Sequence, residues 1–424
     1  MKKILLALLL SITFSAFVGV SAAQDDTLLT GKIAFIGNDF NVYTYTTADE
    51  ITTALTADAA ISRSEFLSYR WPTWSTDGRL AFFAIEDSNE IAFTTTAFVS
   101  ADGIEPPAEV YRGEGNMFNY AAWSPQNCPQ STDCRALSVL MNNIRGGGLF
   151  VELIYDQTSL PTETIGRGGP FYYSWSPDGS QMLWQRNNAR LDIYTVEQRE
   201  IDRELTTVPG FFQAPAWSPV SELWLVGKRA ADNKTELVVV SGESERTLVD
   251  DLDGTVAFSW SPDGSQIAYV DRQGPMNVIN ALTGESVSQT VTGGVLSFFW
   301  SPDSQKIAFI TLSTPPGSSV TQNGVLAAPN PQEQRQLAVA WSVLDLATGD
   351  VNRYEGFIPT AEMVYFFTYF DQFAQSHRVW SPDSRYLVYS DLLEDNAALI
   401  RVQDTQSVLP PFTIGEGVLG IWSH

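Results

Sequence analysis

The residue types that carry most enzyme chemistry are scarce in this sequence of 424 residues. There are two histidines, His377 and His424, and two cysteines, Cys128 and Cys134. Histidine-bound metal chemistry needs more imidazoles than that. A serine nucleophile of the Gly-x-Ser-x-Gly kind needs a strained turn. The nearest phrases, GESER (Gly242–Arg246) and GESVS (Gly284–Ser288), lack the final glycine. Cys128 and Cys134 fall in NCPQSTDC, with Pro129 bending the chain between them. In an oxidising compartment such a pair reads as one disulfide stapling a loop, whereas a metal would call for further ligands. Asp251 and Asp253 in DDLDG offer oxygens to calcium, without the other ligands of a full calcium loop; a solvated acidic turn is the commoner meaning. Carboxylates alone can hydrolyse a glycoside when two face each other roughly 5–10 Å apart.

Binding-type residues are better represented. MVYFFTYFDQF holds Tyr365, Phe366, Phe367, Tyr369, Phe370 and Phe373, and His377 follows. Flat apolar rings suit sugar rings or a protein partner, and they equally suit inward packing. Arg70 and Trp71 stand in a comparable place before another tryptophan, Trp74.

What must position these residues is a repeat. Trp-Ser recurs at Trp74, Trp123, Trp175, Trp217, Trp260, Trp300, Trp380 and Trp422, at intervals of 40 to 52 residues and one of 80. Such a period fits four short strands. Ser-Pro-Asp-Gly suits a type I turn, with Pro presetting φ at the second position. Trp brings a large face to fill the gap between neighbouring sheets. An apolar strand follows each turn, as in QIAYV and KIAFI, then a third such as RLDIYTV (Arg190–Val196) or ELVVVS (Glu236–Ser241). The expectation is an all-β fold, a β-propeller of eight four-stranded blades, with seven or nine as alternatives. LAVAWSVLDLATGDV has no turn after its Trp-Ser, so Trp341 belongs to a third strand rather than to a ninth blade. KIAFIGNDFNVYTYT (Lys32–Thr46) lacks a first strand, and GVLGIW (Gly417–Trp422) is a first strand with no successor. Their pairing closes the ring and removes two aggregation-prone edges.

WSPDGSQIAY (Trp260–Tyr269) and WSPDSQKIAF (Trp300–Phe309) resemble the repeat of the TolB-like propellers, found also in propeller parts of dipeptidyl peptidases and oligogalacturonate lyases. The resemblance runs from about Gly31 to Trp422. It implies the fold; the same fold carries many activities. TolB-type envelope proteins add an α/β domain, dipeptidyl peptidases a hydrolase domain, and the lyase-like propellers a histidine-bound metal. The expectation here is one propeller domain, residues 24–424, with none of these.

Strand parity places the insertions. Turns between first and second strands share one face of the disc; links between blades share the other with the second-to-third turns. The insertion Ser313–Arg335 and the link from Ile358 to His377 should emerge together on that link face, opposite the Cys128–Cys134 loop. Arg70 and Trp71 would then line the channel mouth.

Lys2 and Lys3, an apolar run from Ile4 to Val20 and Ser21-Ala22-Ala23 have the order of a secretory signal, residues 1–23. Beyond it no stretch reaches the roughly 18 apolar residues of a membrane span. A net charge of −24 opposes nucleic-acid binding. These features point to an exported monomer, periplasmic or extracellular, that binds a protein or glycan without catalysis and without a cofactor. The alternatives are a glycan-active enzyme using channel carboxylates and a calcium-stabilised adhesion module. Export predicts a mature chain beginning at Gln24, which intact-mass spectrometry of the secreted protein reads directly; a secreted chain still starting at Met1 would refute the cleavage.

Overall fold

The computed structural model describes residues 30–424 except 63–65, 89–90, 129–132, 158–159, 212, 273, 291–292, 315–336, 394–395 and 408. The expected leader, and all but the start of the Ser313–Arg335 insertion, lie outside the described residues.

The Trp-Ser-Pro-Asp repeats begin with a turn that the sequence specifies atom by atom. The N–H of the fourth residue reaches the serine carbonyl, as in Gly179 to Ser176 and Gly264 to Ser261, 2.9 and 2.8 Å. The serine hydroxyl donates to the aspartate two residues on, at 2.6 Å in Ser176–Asp178, Ser261–Asp263 and Ser301–Asp303. Its oxygen also accepts the N–H five residues on, from Gln181, Gln266 and Lys306 at 2.9 Å. One buried hydroxyl thus joins the end of the first strand to the start of the second. The fourth residue takes a left-handed conformation, φ +68° at Gly179 and +70° at Gly264. Ser304 and Ser384 stand there at +60° and +59°, against their own preference. Each offsets that cost with a bond glycine lacks: Ser304 Oγ accepts the N–H of Asp263, and Ser384 Oγ that of Asp303, at 3.1 and 3.0 Å.

The tryptophan joins neighbouring sheets through a polar atom as well as an apolar face. Trp123 Nε1 donates to Thr73 O, Trp260 Nε1 to Ala216 O and Trp380 Nε1 to Phe299 O, at 2.9, 3.1 and 3.0 Å. In each case the acceptor immediately precedes the tryptophan of the repeat before. A buried ring of roughly 150–250 Å², at about 25 cal/mol/Å², contributes about 4–6 kcal/mol, and the N–H fixes its register.

Among the described residues the strands form seven sheets. Five have four strands, such as Val256–Trp260, Gln266–Asp271, Asn277–Asn280 and Ser286–Gln289. One has five, beginning with Ala60–Ile61 and Phe66–Trp74. Val339–Asp345 is a third strand, and Trp341 is buried within it, as the missing turn predicts. The fold is a β-propeller, but the count of eight is corrected to seven. The reason lies in one strand, Phe412–Trp422. Its first half pairs with Ala398–Asp404 and its second half with Lys32–Gly37, without a break. The repeats of Trp380 and Trp422 therefore feed a single six-stranded sheet. The pairing that closes the ring is the expected one, Ile33 opposite Trp422 and Ala34 opposite Ile421.

Cys128 and Cys134 form a disulfide across the turn joining Asn116–Asn127 to Arg135–Asn143. Beside it the buried Arg135 donates to the carbonyls of Ser124 and Pro125.

Ser304→Ala keeps the unfavourable φ and removes the bond to Asp263, so it should cost about 1–2 kcal/mol. Ser304→Gly, which relieves the φ, should cost less. Denaturant midpoints of the two variants check the order; the reverse order would show that the φ carries no cost, and an unchanged midpoint for Ser304→Ala would show that the bond contributes nothing.

Candidate functional site, a plugged central channel

The inner strands surround a central channel, and the aromatic link, for which the sequence left outward display and inward packing both open, fills it. Thr360 opens the segment: its hydroxyl donates to Val418 O at 2.6 Å and accepts the N–H of Met363 at 3.3 Å, capping a helix. That helix, α1, spans Ala361–Thr368; Tyr369, at φ −114°, separates it from α2, Phe370–Phe373. The aromatic stripe points outward from the helices into the surrounding strands. Phe366 stacks on Phe299 with centroids 5.2 Å apart, Phe370 meets Phe298 edge-on at 4.9 Å, and Phe373 stacks on Trp71 at 4.8 Å.

Polar groups seat the plug against the inner edges of the strands. Gln372 makes both bonds of a missing strand: Oε1 accepts Tyr173 N–H at 3.1 Å and Nε2 donates to Tyr173 O at 2.8 Å. Asp371 accepts Ala214 N–H at 2.8 Å, and Gln375 donates to Pro215 O at 3.2 Å. Burial pushes the Asp371 carboxyl up, against the pull of the amides of Ala214 and Gln372.

His377 ends the plug. Its Nδ1 lies 2.7 Å from Ser376 Oγ and its Nε2 3.2 Å from Thr73 Oγ1. Thr73 donates onward to Trp71 O at 3.1 Å, which leaves its oxygen to accept from Nε2 and gives Nδ1 the proton of Ser376. Burial drives the imidazole pKa down to about 3. Both nitrogens are engaged and the ring is neutral, which suits a packed residue rather than a base.

The predicted site residues therefore divide. Phe366, Phe367, Phe370, Phe373, His377 and Trp71 are buried, and a patch presenting all six link aromatics to a partner is corrected: the rings are core. Tyr365 and Tyr369 stay 37% and 39% exposed, 4.9 Å apart, at the outer end of the plug. Trp71, at φ +52° in a bulge of its strand, stacks under Phe373; Arg70 lies 3.8 Å from Glu362 in the first turn of α1. Both hold the plug. Asp251 and Asp253 face Lys234 at 3.0 and 2.8 Å, an acidic turn whose carboxylates meet an ammonium. No cluster of three or more His, Cys, Asp or Glu with metal-binding geometry occurs among the described residues.

Two cavities flank the plug. On the link face, about 420 Å³ lies between the plug and two neighbouring sheets, lined by the starts of their inner strands, Val256 and Val295 among them, by Arg272, and by Thr368 and Phe370. On the turn face, about 390 Å³ is ringed by the repeat tryptophans and by turn prolines such as Pro125, Pro177 and Pro262, over a floor of Gln375, His377 and Arg378. Asp371 is the acidic residue lining both. Burial pushes the Arg378 guanidinium pKa down. Sequence reading missed Arg378, although a signal was present. The residue two before each repeat tryptophan is Pro72, Ala121, Tyr173, Pro215, Phe258, Phe298 or Gly420; at Trp380 it is the charged Arg378.

With its inner strands around a plugged channel, the molecule belongs to the β-propellers as a class. No protein-family model and no curated protein matches the sequence. Among solved structures, it is similar to a eukaryotic initiation factor, with 11% identity over 92% of this chain and 98% of that one, at a TM-score of 0.52. TolB from Acinetobacter baumannii gives 13% identity over 82% and 80% of the two chains, at 0.38. A chain of the mitotic checkpoint complex gives 17% over 82% and 97%, at 0.46. At such identity the first likeness shows the fold alone.

The histidine geometry has a pH consequence. An imidazole near 6.5 in the unfolded chain and near 3 in the fold is protonated first in the unfolded state. Its contribution to stability is complete above about pH 6.5 and is lost as pH falls from there towards 3. His377→Gln should flatten the fall in thermal midpoint between pH 7 and 5; an unchanged slope would show that His377 is not the titrating group.

Proposed function

We propose that this chain is an exported, non-catalytic binding propeller that engages a protein or small-molecule ligand at the two ends of its plugged channel. The observation that carries this reading is the plug itself. It spends the aromatic rings and His377 on packing, and it leaves a recessed chamber on each face. A chamber of roughly 300–1,000 Å³ with apolar walls and a few polar groups is the usual form of a ligand site. The glycan-enzyme alternative needs a facing pair of carboxylates, and Asp371, the acid that lines the chambers, is turned into backbone amides. The adhesion alternative needs calcium at Asp251 and Asp253, which lie against Lys234. The disulfide supports export, because such bonds persist in oxidising compartments.

The test is capture of partners with the purified mature protein. Tyr365 and Tyr369 are the aromatic pair still facing solvent. Replacing both with Ala should weaken a partner bound at the link face at least tenfold with the thermal midpoint little changed. Undiminished capture would remove that face from the reading, and turnover of a captured glycan would sink the non-catalytic claim.

A further inference from the structure

Arg378 is an anomaly of charge. The chain carries 49 acidic residues against 25 basic ones. Buried arginines elsewhere in the fold have partners: Arg186 pairs with Asp192 at 2.6 Å, Arg79 with Asp156 at 2.8 Å, and Arg135 donates to two carbonyls and to Thr76. Arg378 is half-buried at the floor of the turn-face chamber, and among the described residues its guanidinium has no ion pair and no hydrogen bond. Drawing a cation part-way out of water without a partner carries a cost, and proteins otherwise pair or neutralise such a group. Arginine does not neutralise. Its backbone is fixed by the bridge to Trp422, so the side chain is committed to this place.

His424 also lines the chamber, but its unpartnered Nδ1 is covered, as are the indole N–H groups of Trp217 and Trp300, so none of the three is presented to the cavity. The other polar groups of the floor are engaged: Ser376 with His377, Gln375 with Pro215 O, and Asp371 with Ala214 N–H. The walls are indole and proline faces. Facing inward, then, the cavity offers one cationic fork in an apolar surround.

We infer that Arg378 receives the carboxylate of a ligand seated in the turn-face chamber, with the ligand's apolar body packed against the tryptophan and proline ring. This inference rests on the binding reading above and names its chemistry at one of the two ends. The planar fork of five N–H donors matches a carboxylate in two parallel bonds. A volume of about 390 Å³ takes a small aromatic or aliphatic acid, or the last one or two residues of a peptide with a free carboxyl end. Both present the same group to Arg378.

The experiment uses the full mature chain and two matched pairs of probes. Phenylacetate is compared with phenylacetamide, and Gly-Gly-Phe with its C-terminal amide, by thermal shift and by quenching of tryptophan fluorescence. The acids should raise the midpoint and the amides should not; the stronger of the two acids tells a free small acid from a peptide end. Arg378→Gln should weaken acid binding at least tenfold, and Arg378→Lys should keep some of it. Without ligand, Arg378→Gln should melt at the same temperature or higher, because it removes an uncompensated charge. Equal effects of acids and amides, absence of binding by either acid, undiminished binding to Arg378→Gln, or a lower midpoint for that variant without ligand would each overturn the inference. Partner capture through Tyr365 and Tyr369 would be untouched by any of these results, so the two readings fail separately.

Discussion

The fold depends on one pairing, that of the last strand with the first. Ile33 to Gly37 lie against Gly417 to Trp422, and Ser423 and Lys32 exchange further bonds just beyond it. Strand-to-strand bonds of this kind are each worth about 1 kcal/mol net, so their sum is modest. Their importance is topological. Without them the outermost sheets would end in open edges, and the inner strands would not enclose a channel for the plug to fill. The tryptophan N–H bonds to the preceding repeat serve the same end, since each sets how one sheet meets the next.

Once the ring closes, its centre becomes a problem of packing. Inner strands lined by Tyr120, Tyr173, Phe298 and Phe299 cannot meet across the channel, and exposed they would present a large apolar surface. The link from Thr360 to His377 resolves this by supplying aromatic rings from the middle and amide and carboxylate groups toward the strands that are short. Ala216–Trp217 is a two-residue strand because the chain just before it bonds to Asp371 and Gln375 instead. The plug thus belongs to the core, and function is left to the spaces above and below it.

Much of this was legible in the residues. Trp-Ser-Pro-Asp-Gly names its own turn, and the missing turn after Trp341 places that residue in a third strand. GVLGIW announces a first strand in need of a partner. The blade count was not legible, because nothing in QSVLPPFTIGEGVLGIW marks that one strand, Phe412–Trp422, pairs on both sides in succession. The direction of the aromatic stripe was not legible either. Phe366 and Tyr365 are neighbours of similar chemistry, and only the surrounding ring decides that one is buried and the other is wet. Ser304 and Ser384 look like poorer glycines until their hydroxyls are seen to reach the next turn. Arg378 was visible as an odd residue before Trp380, but its meaning lies in the absence of a neighbour, which spacing along the chain does not encode.

The closing pair also sets how the molecule carries load. Lys32 and Ser423 are adjacent, at the same end of an antiparallel pair. A pull applied between Gly31 and His424 therefore acts across the first hydrogen bonds rather than along all of them together. The bonds break in succession, like a zip, and the disc opens at low force. Attachment through either of these points alone leaves the seam unstressed, with the tethered disc free to swing about the face that bears the turns.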